Sequence, residues 1–401
     1  RFGKMGDNID MHHLPGIDPE TMHYTRQPHP STDPVAEAEA GILTQVKASS
    51  PRHHQIEQLQ RFAGLGIGLA SVLAENVLSH PCIVLRRQCQ VNPSSSWYHN
   101  TPFTLFHIIY NIQRNQSVTT LFKGIGSTFM VRGIFVVSEA GISEFTPFPR
   151  EVNRHSSVKK LLQHMVLKGL SFLATTPFYA ASLVETVQSE IASERPGVFD
   201  CIKEGFGRLL GSWSTPQSTR LLPVWKLVVP TVCYGLMHYA ITSIAQYTVI
   251  LTVRSESHTT KGAEQTVPPA KSMYERYYPE LIATFTGHLF ADVILYPLEN
   301  VVHRLHLQGT RTIIDNTDTG LGVVPIITRY EGMLDCFKCI ILDEGLSGLY
   351  KGMGALVLQY TMHVMILKVT RFLFEQLTKD LHGNEDNETM PRRSRSSQSQ
   401  M

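Results

Sequence analysis

The chain has 401 residues, with 36 Lys and Arg against 34 Asp and Glu and a formal net charge of +2. No basic surplus exists to neutralise a nucleic-acid backbone, so that class of partner is excluded. Hydrophobic residues make up 42% and mean hydropathy is −0.07, as in an average soluble protein, yet charged residues are only 17%, against roughly 25% in soluble domains.

Residue Arg1 reads as an internal start, which leaves room for a segment before it. Residues 1–57 are rich in Pro, His and Thr and carry Asp7, Asp10, Asp18, Glu20, Asp33, Glu37, Glu39 and Glu57, too acidic for a cleavable mitochondrial presequence. With no apolar period they are expected to form a disordered tail. Residues 62–85 then hold one formal charge, Glu75, over a length that crosses a bilayer core of about 30 Å. Gly64 and Gly68 within it imitate a dinucleotide loop, but no strand precedes them, and their spacing suits close helix packing in lipid. Low-charge stretches follow at 125–145, 161–187, 221–253, 281–307 and 355–374, which gives six expected spans. A soluble bundle of buried helices is the competing explanation. Residues 380–401 are expected to be a second disordered tail.

Three prolines stand at equivalent ends of apolar segments, Pro81, Pro177 and Pro297, separated by 96 and 120 residues. After the first comes Leu121-Phe122-Lys123-Gly124, and after the third Glu344-Gly345 and then Leu349-Tyr350-Lys351-Gly352. The second copy keeps only Gly197-Val198-Phe199-Asp200-Cys201 and Glu204-Gly205. The repeats run over about 58–150, 151–257 and 272–379 and are unevenly preserved.

An apolar helix ending in Pro-x-acid-x-x-basic-x-basic, a surface helix, Glu-Gly and aromatic-basic-Gly, taken three times, resembles the mitochondrial carrier (solute carrier 25) family. The resemblance covers residues 58–379. The strings over residues 61–92 (with Arg86 and Gln90), 177–190 and 296–318 closely resemble an atypical outer-membrane branch of that family. The resemblance implies an all-α fold of six tilted transmembrane helices in three pseudo-symmetric pairs, with short amphipathic surface helices and a cytosolic N-terminus. It also implies a non-enzymatic adaptor of the mitochondrial outer membrane, without a cofactor, acting in fusion and fission, cristae organisation and lipid supply. The partners implied are membrane lipid, fusion GTPases, the cristae-organising complex and contact proteins of the endoplasmic reticulum.

In an ordinary member of the family, three motif acids pair with three motif bases in a ring that closes one end of the cavity. Here the acid slots hold Ile83, Tyr179 and Glu299, and the basic slots hold Arg86 and Gln88, Ser182 and Val184, Val302 and Arg304. One acid and two bases cannot form three pairs, and a buried charge left unpaired is costly. Ordinary alternating access is therefore expected to be lost, with a genuine solute or lipid carrier as the rival reading. Glu299 and Arg304 are too far round one helix to be partners and are expected to pair across helices. The second ring, on the even helices, has Phe374-Glu375 as its best remnant, and Arg132 is either a ligand anchor or a snorkelling charge.

Six cysteines are too sparse for a disulfide framework. Cys336-Phe337-Lys338-Cys339 has no second pair, so zinc or redox chemistry is not expected, and no Ser-His-Asp order or paired carboxylates mark a catalytic centre. The loop over 306–330 makes copy three about twelve residues longer than copy one between proline and glycine. Its polar clusters, with Arg311, Asp315 and Asp318, read as a candidate partner-binding surface, or else a passive loop.

Overall fold

The computed structural model describes residues 76–151, 157–191, 197, 199–211, 221–260 and 273–389. The N-terminal tail, Gly64 and Gly68 lie outside them. Copy one begins with α1 over residues 76–91. Pro102 opens α2 (Pro102–Asn115), where its missing N–H has no helical acceptor to lose. A 3₁₀ turn (Val118–Phe122) leads through Gly124, at φ 68, into α3 (Ile125–Phe145). Copy two is α4 (Val158–Val187), α5 (Asp200–Gly211) and α6 (Val224–Thr260). Copy three is α7 (Met273–Ile294), α8 (Tyr296–Leu307), an antiparallel hairpin of β1 (Ile313–Asp315) and β2 (Val323–Pro325), α9 (Met333–Gly348) and α10 (Met353–Thr389). Long helix, short helix and long helix thus follow one another in copy two, and copy one keeps the same three-helix order over its described residues. The helical backbone reaches Thr389, so the boundary placed at residue 380 falls inside α10.

The prolines act differently in the three copies. At Pro297 the helix breaks at Leu295 and its two halves are bent by 68°, as expected where a ring clashes with the preceding turn. Helical backbone continues through Pro81 and Pro177. A break of the helical backbone is thus seen at Pro297 and not at Pro81 or Pro177.

By length and apolarity, three helices among the described residues can cross a membrane, at Val118–Phe145, Val224–Thr252 and Met353–Leu373, and the bent pair α7–α8 makes a fourth. The 30-residue α4 is about 45 Å long but carries Lys168 and Glu185 in its interior. The spans turn large apolar side chains outward, among them Val136, Val137, Ile244, Met365 and Phe372, which suits lipid contact. Neighbouring long helices pack in sequence order, α3 on α4, α4 on α6 and α6 on α7.

One core cluster shows the pseudo-symmetry in side chains. Val91, Val187 and Leu307 meet there with Ile314 and Ile326 of the hairpin segment. Each of the first three lies ten residues beyond its own copy's proline, at 81→91, 177→187 and 297→307. Equivalent turns of three helices therefore converge on one point, and the hairpin is packed into it.

Candidate functional site

The convergent end carries a polar network where the family's gate slots lie. Arg86 Nη2 is 3.1 Å from Glu299 Oε1 and Nη1 is 3.8 Å from Asp292 Oδ2. Gln90 Nε2 donates to Glu299 Oε2 at 3.0 Å, and its Oε1 faces His303 Nδ1 at 2.7 Å. The other ring nitrogen of His303 meets the Tyr179 hydroxyl at 2.7 Å. The acid slot of copy two is thus joined to copies one and three by hydrogen bonds instead of charge. Arg87, beside the slot residue Arg86, donates to Thr186 Oγ1 at 3.1 Å and lies 6.0 Å from the centre of the Tyr179 ring. The third acid slot, Ile83, is buried and apolar.

Arg304 does pair across helices, with Glu344 of α9 through both guanidinium nitrogens. Lys351 Nζ joins the same carboxylate at 2.8 Å and donates to Asn92 O at 2.8 Å. Glu344, Lys351 and Gly352 therefore form one assembly with the end of α1, and the Tyr350 ring stacks on Tyr296 of α8. The assembly is positioned by Gly345, whose φ of 74 interrupts α9, and by Gly352 at φ 85. Left-handed backbone of this kind is open to glycine without a steric penalty. Asp292 is held by His238 Nε2 at 2.8 Å and the Tyr360 hydroxyl at 2.7 Å.

The hairpin has two sides: Leu321, Val323 and Ile327 face outward, while its acidic residues turn inward. Asp315 is 1% exposed. Its carboxylate accepts from Lys123 Nζ at 2.8 Å, Ser189 Oγ at 2.5 Å, Gln88 Nε2 at 2.9 Å and Gln116 Nε2 at 3.2 Å. Burial alone raises this carboxyl, but the Lys123 ammonium and the donated hydrogen bonds hold it below the usual carboxylate value. Asp318 accepts from Ser95 Oγ at 2.6 Å and from the backbone N–H groups of Ser96 and Trp97. Arg311 remains exposed, at φ 56. Asp315 thus braces the interior, while Asp318 holds the Ser95–Trp97 turn from a partly exposed position.

Between α3, α4 and α6 lies a cavity of about 460 Å³, lined by Phe135, Phe172, Tyr179, Tyr234 and His238, with Arg132 at its wall. Arg132 donates to Asn76 Oδ1 of α1. Burial pushes the Cys336 thiol up to about 12, so it stays protonated at neutral pH. Residues of the network that the sequence did not single out are Asn92, Gln116, Asp292 and His303. Counting back seven residues from Lys123 and Lys351, which matches Gln116 to Glu344, was the signal available for Gln116.

Comparison with known proteins decides the family. The mitochondrial carrier protein family matches residues 57–146 and 275–382. Mitochondrial outer membrane protein SLC25A46 of Homo sapiens is 52% identical over 81% of this chain and 77% of its own length. The protein of that name from Gallus gallus is 53% identical over 81% and 79%. Solute carrier family 25 member 46-A of Xenopus laevis is 49% identical over 86% and 82%.

The chain belongs to the mitochondrial carrier family.

It is a multi-pass protein of the mitochondrial outer membrane, the location that the names of its relatives carry. The carrier family match leaves out residues 147–274. That interval holds copy two, whose motif positions are Tyr179, Ser182 and Val184, so the part least like a carrier is the part with no motif charge. Of the motif residues, Arg86, Gln90, Lys123, Glu299 and Arg304 take part in the contacts described above.

Proposed function

We propose that this chain is a non-transporting, non-enzymatic carrier-fold adaptor of the outer membrane. Its role in this reading is in mitochondrial fusion and fission, cristae organisation and lipid supply. Its partners are fusion GTPases, the cristae-organising complex and contact proteins of the endoplasmic reticulum. The observation that carries the reading is the loss of two gate acids, with Ile83 and Tyr179 in their places and a single Arg86–Glu299 ion pair linking gate slots among the described residues. A transport cycle needs a ring of pairs that breaks and re-forms; one pair set in a hydrogen-bonded network favours a fixed platform. The bundle then supplies the platform, and the N-terminal tail and extramembrane loops supply binding surface.

The test is reconstitution of the full chain in liposomes loaded with labelled small anions and nucleotides, together with crosslinking in intact outer membranes. No exchange, with fusion GTPases among the crosslinked proteins, is expected. Exchange that Arg86→Ala or Arg132→Ala abolishes would overturn the reading. The cavity of about 460 Å³ favours a second reading, a lipid or solute carrier. A phospholipid that co-purifies one-to-one with the solubilised protein would support it.

A further inference from the structure

Copies one and three carry the same clamp built from different parts. In copy three, Glu344 stands seven residues before Lys351 and pairs with both Lys351 and Arg304. At the matching places copy one has Gln116, seven residues before Lys123, and Gln88 in the position of Arg304. Its clamp lysine is present and its acid is missing. The remaining contacts correspond one to one. Lys351 Nζ donates to Asn92 O and Lys123 Nζ to Gln188 O at 2.9 Å, each acceptor eleven residues after a motif proline. The Tyr296 hydroxyl donates to Lys351 O at 2.9 Å, and His80 Nε2 lies 2.9 Å from Lys123 O, each ring one residue before a motif proline.

Asp315 sits where copy one lacks its carboxylate, and it arrives from copy three. We infer that Gln88, Gln116, Lys123 and Ser189 form a carboxylate-binding pocket at the joint of copies one and two, and that the chain fills it with Asp315 of the hairpin, stapling the joint shut. Both partners are almost fully enclosed, at 3% exposure for the Lys123 side chain and 1% for Asp315, so water cannot replace the carboxylate cheaply. The hairpin is also held by backbone, with Ser189 N donating to Ile313 O at 2.8 Å and Gln188 bridged to Ile314. Further ties are Asn92 Nδ2 to Thr317 Oγ1 at 3.0 Å and Asn111 Nδ2 to Thr319 O at 2.7 Å. Gln116 Nε2 reaches Asp315 Oδ1 at 3.2 Å and its Oε1 is buried without a hydrogen-bond partner among the described residues, so a glutamate there brings a carboxylate up to the place that Asp315 occupies. The staple holds whether or not the protein is an adaptor.

The full chain in detergent tests it through Asp315→Asn and the double variant Asp315→Asn with Gln116→Glu. Hydrogen exchange at residues 118–124 and 186–190 is read alongside the thermal midpoint. Asp315→Asn is expected to speed exchange in both segments by on the order of tenfold and to lower the midpoint. Gln116→Glu is expected to return both toward the parent, because it rebuilds the acid at the place copy three keeps it. A role for Asp315 in hairpin folding alone gives no such rescue. Unchanged exchange in Asp315→Asn overturns the inference, and so does failure of the rescue. Should Asp315→Asn yield no folded protein, recovery of folded double variant becomes the readout, and equal loss of both counts against the staple.

Discussion

The Arg86 guanidinium of α1 and the Glu299 carboxylate of α8 lie 3.1 Å apart, tying copy one to copy three at the gate position. Each is nearly enclosed, with side chains 9% and 7% exposed. Removing one partner of such a pair leaves an uncompensated charge and costs roughly 3–5 kcal/mol, whereas replacing both by apolar groups is often close to neutral. Asp292, 3.8 Å from Arg86, softens the first loss, so Glu299→Leu is expected near the lower end of that range. The pair Arg86→Met with Glu299→Leu is expected to recover most of it. Thermal midpoints of the solubilised full chain, arranged as a double-mutant cycle, measure the coupling; strictly additive losses would show the pair is not one unit.

Two motif glycines are fixed by backbone conformation as well as by space. Gly352 has φ 85, and a Cβ there would lie 2.8 Å from Cys89 Cβ and 3.2 Å from Arg86 O. Gly124 has φ 68, and a Cβ would meet Thr186 Cγ2 at 2.5 Å and Thr186 N at 3.0 Å. Alanine at either position is expected to cost about 1–3 kcal/mol, read as a lower midpoint and a lower steady-state level. Gly133 of α3 has nothing within 4 Å of the added Cβ, and Gly133→Ala is expected to be neutral or to stabilise by up to about 1 kcal/mol. Equal effects at all three would refute the distinction.

The Asp315 site sets a pH dependence with a definite sign. Its carboxyl is held below its ordinary value because Lys123, Ser189 and Gln88 outweigh the effect of burial. A depressed carboxyl stabilises the fold above the ordinary value of about 3.9 and loses that contribution as pH falls through its folded value. Asp318 acts in the same direction, where burial is outweighed by the Ser95 hydroxyl and the N–H groups of Ser96 and Trp97. The thermal midpoint of the parent protein is thus expected to fall more steeply below about pH 4 than that of Asp315→Asn, with the two curves parallel above about pH 5. Curves parallel down to pH 3 would remove Asp315 from the titration.

Much of this was written in one dimension. Long low-charge segments and the spacing of Pro81, Pro177 and Pro297 determined a helical, membrane-spanning, three-copy chain, because apolar length and proline act locally and need no partner to be read. The same is true of Gly124 and Gly352, which follow an aromatic-basic pair at the start of a long helix. Where charge goes was decided only by tertiary structure. Asp315, in a stretch of Asn, Thr and Gly typical of exposed turns, is buried against Lys123, which is 192 residues away in sequence, and no local pattern records such a pairing. Likewise Tyr179 appears as a lost acid until the fold brings His303 to 2.7 Å. The low charge content identified a membrane protein; folding fixed which of the remaining charges close its convergent end, since a buried charge survives only where another part of the chain meets it.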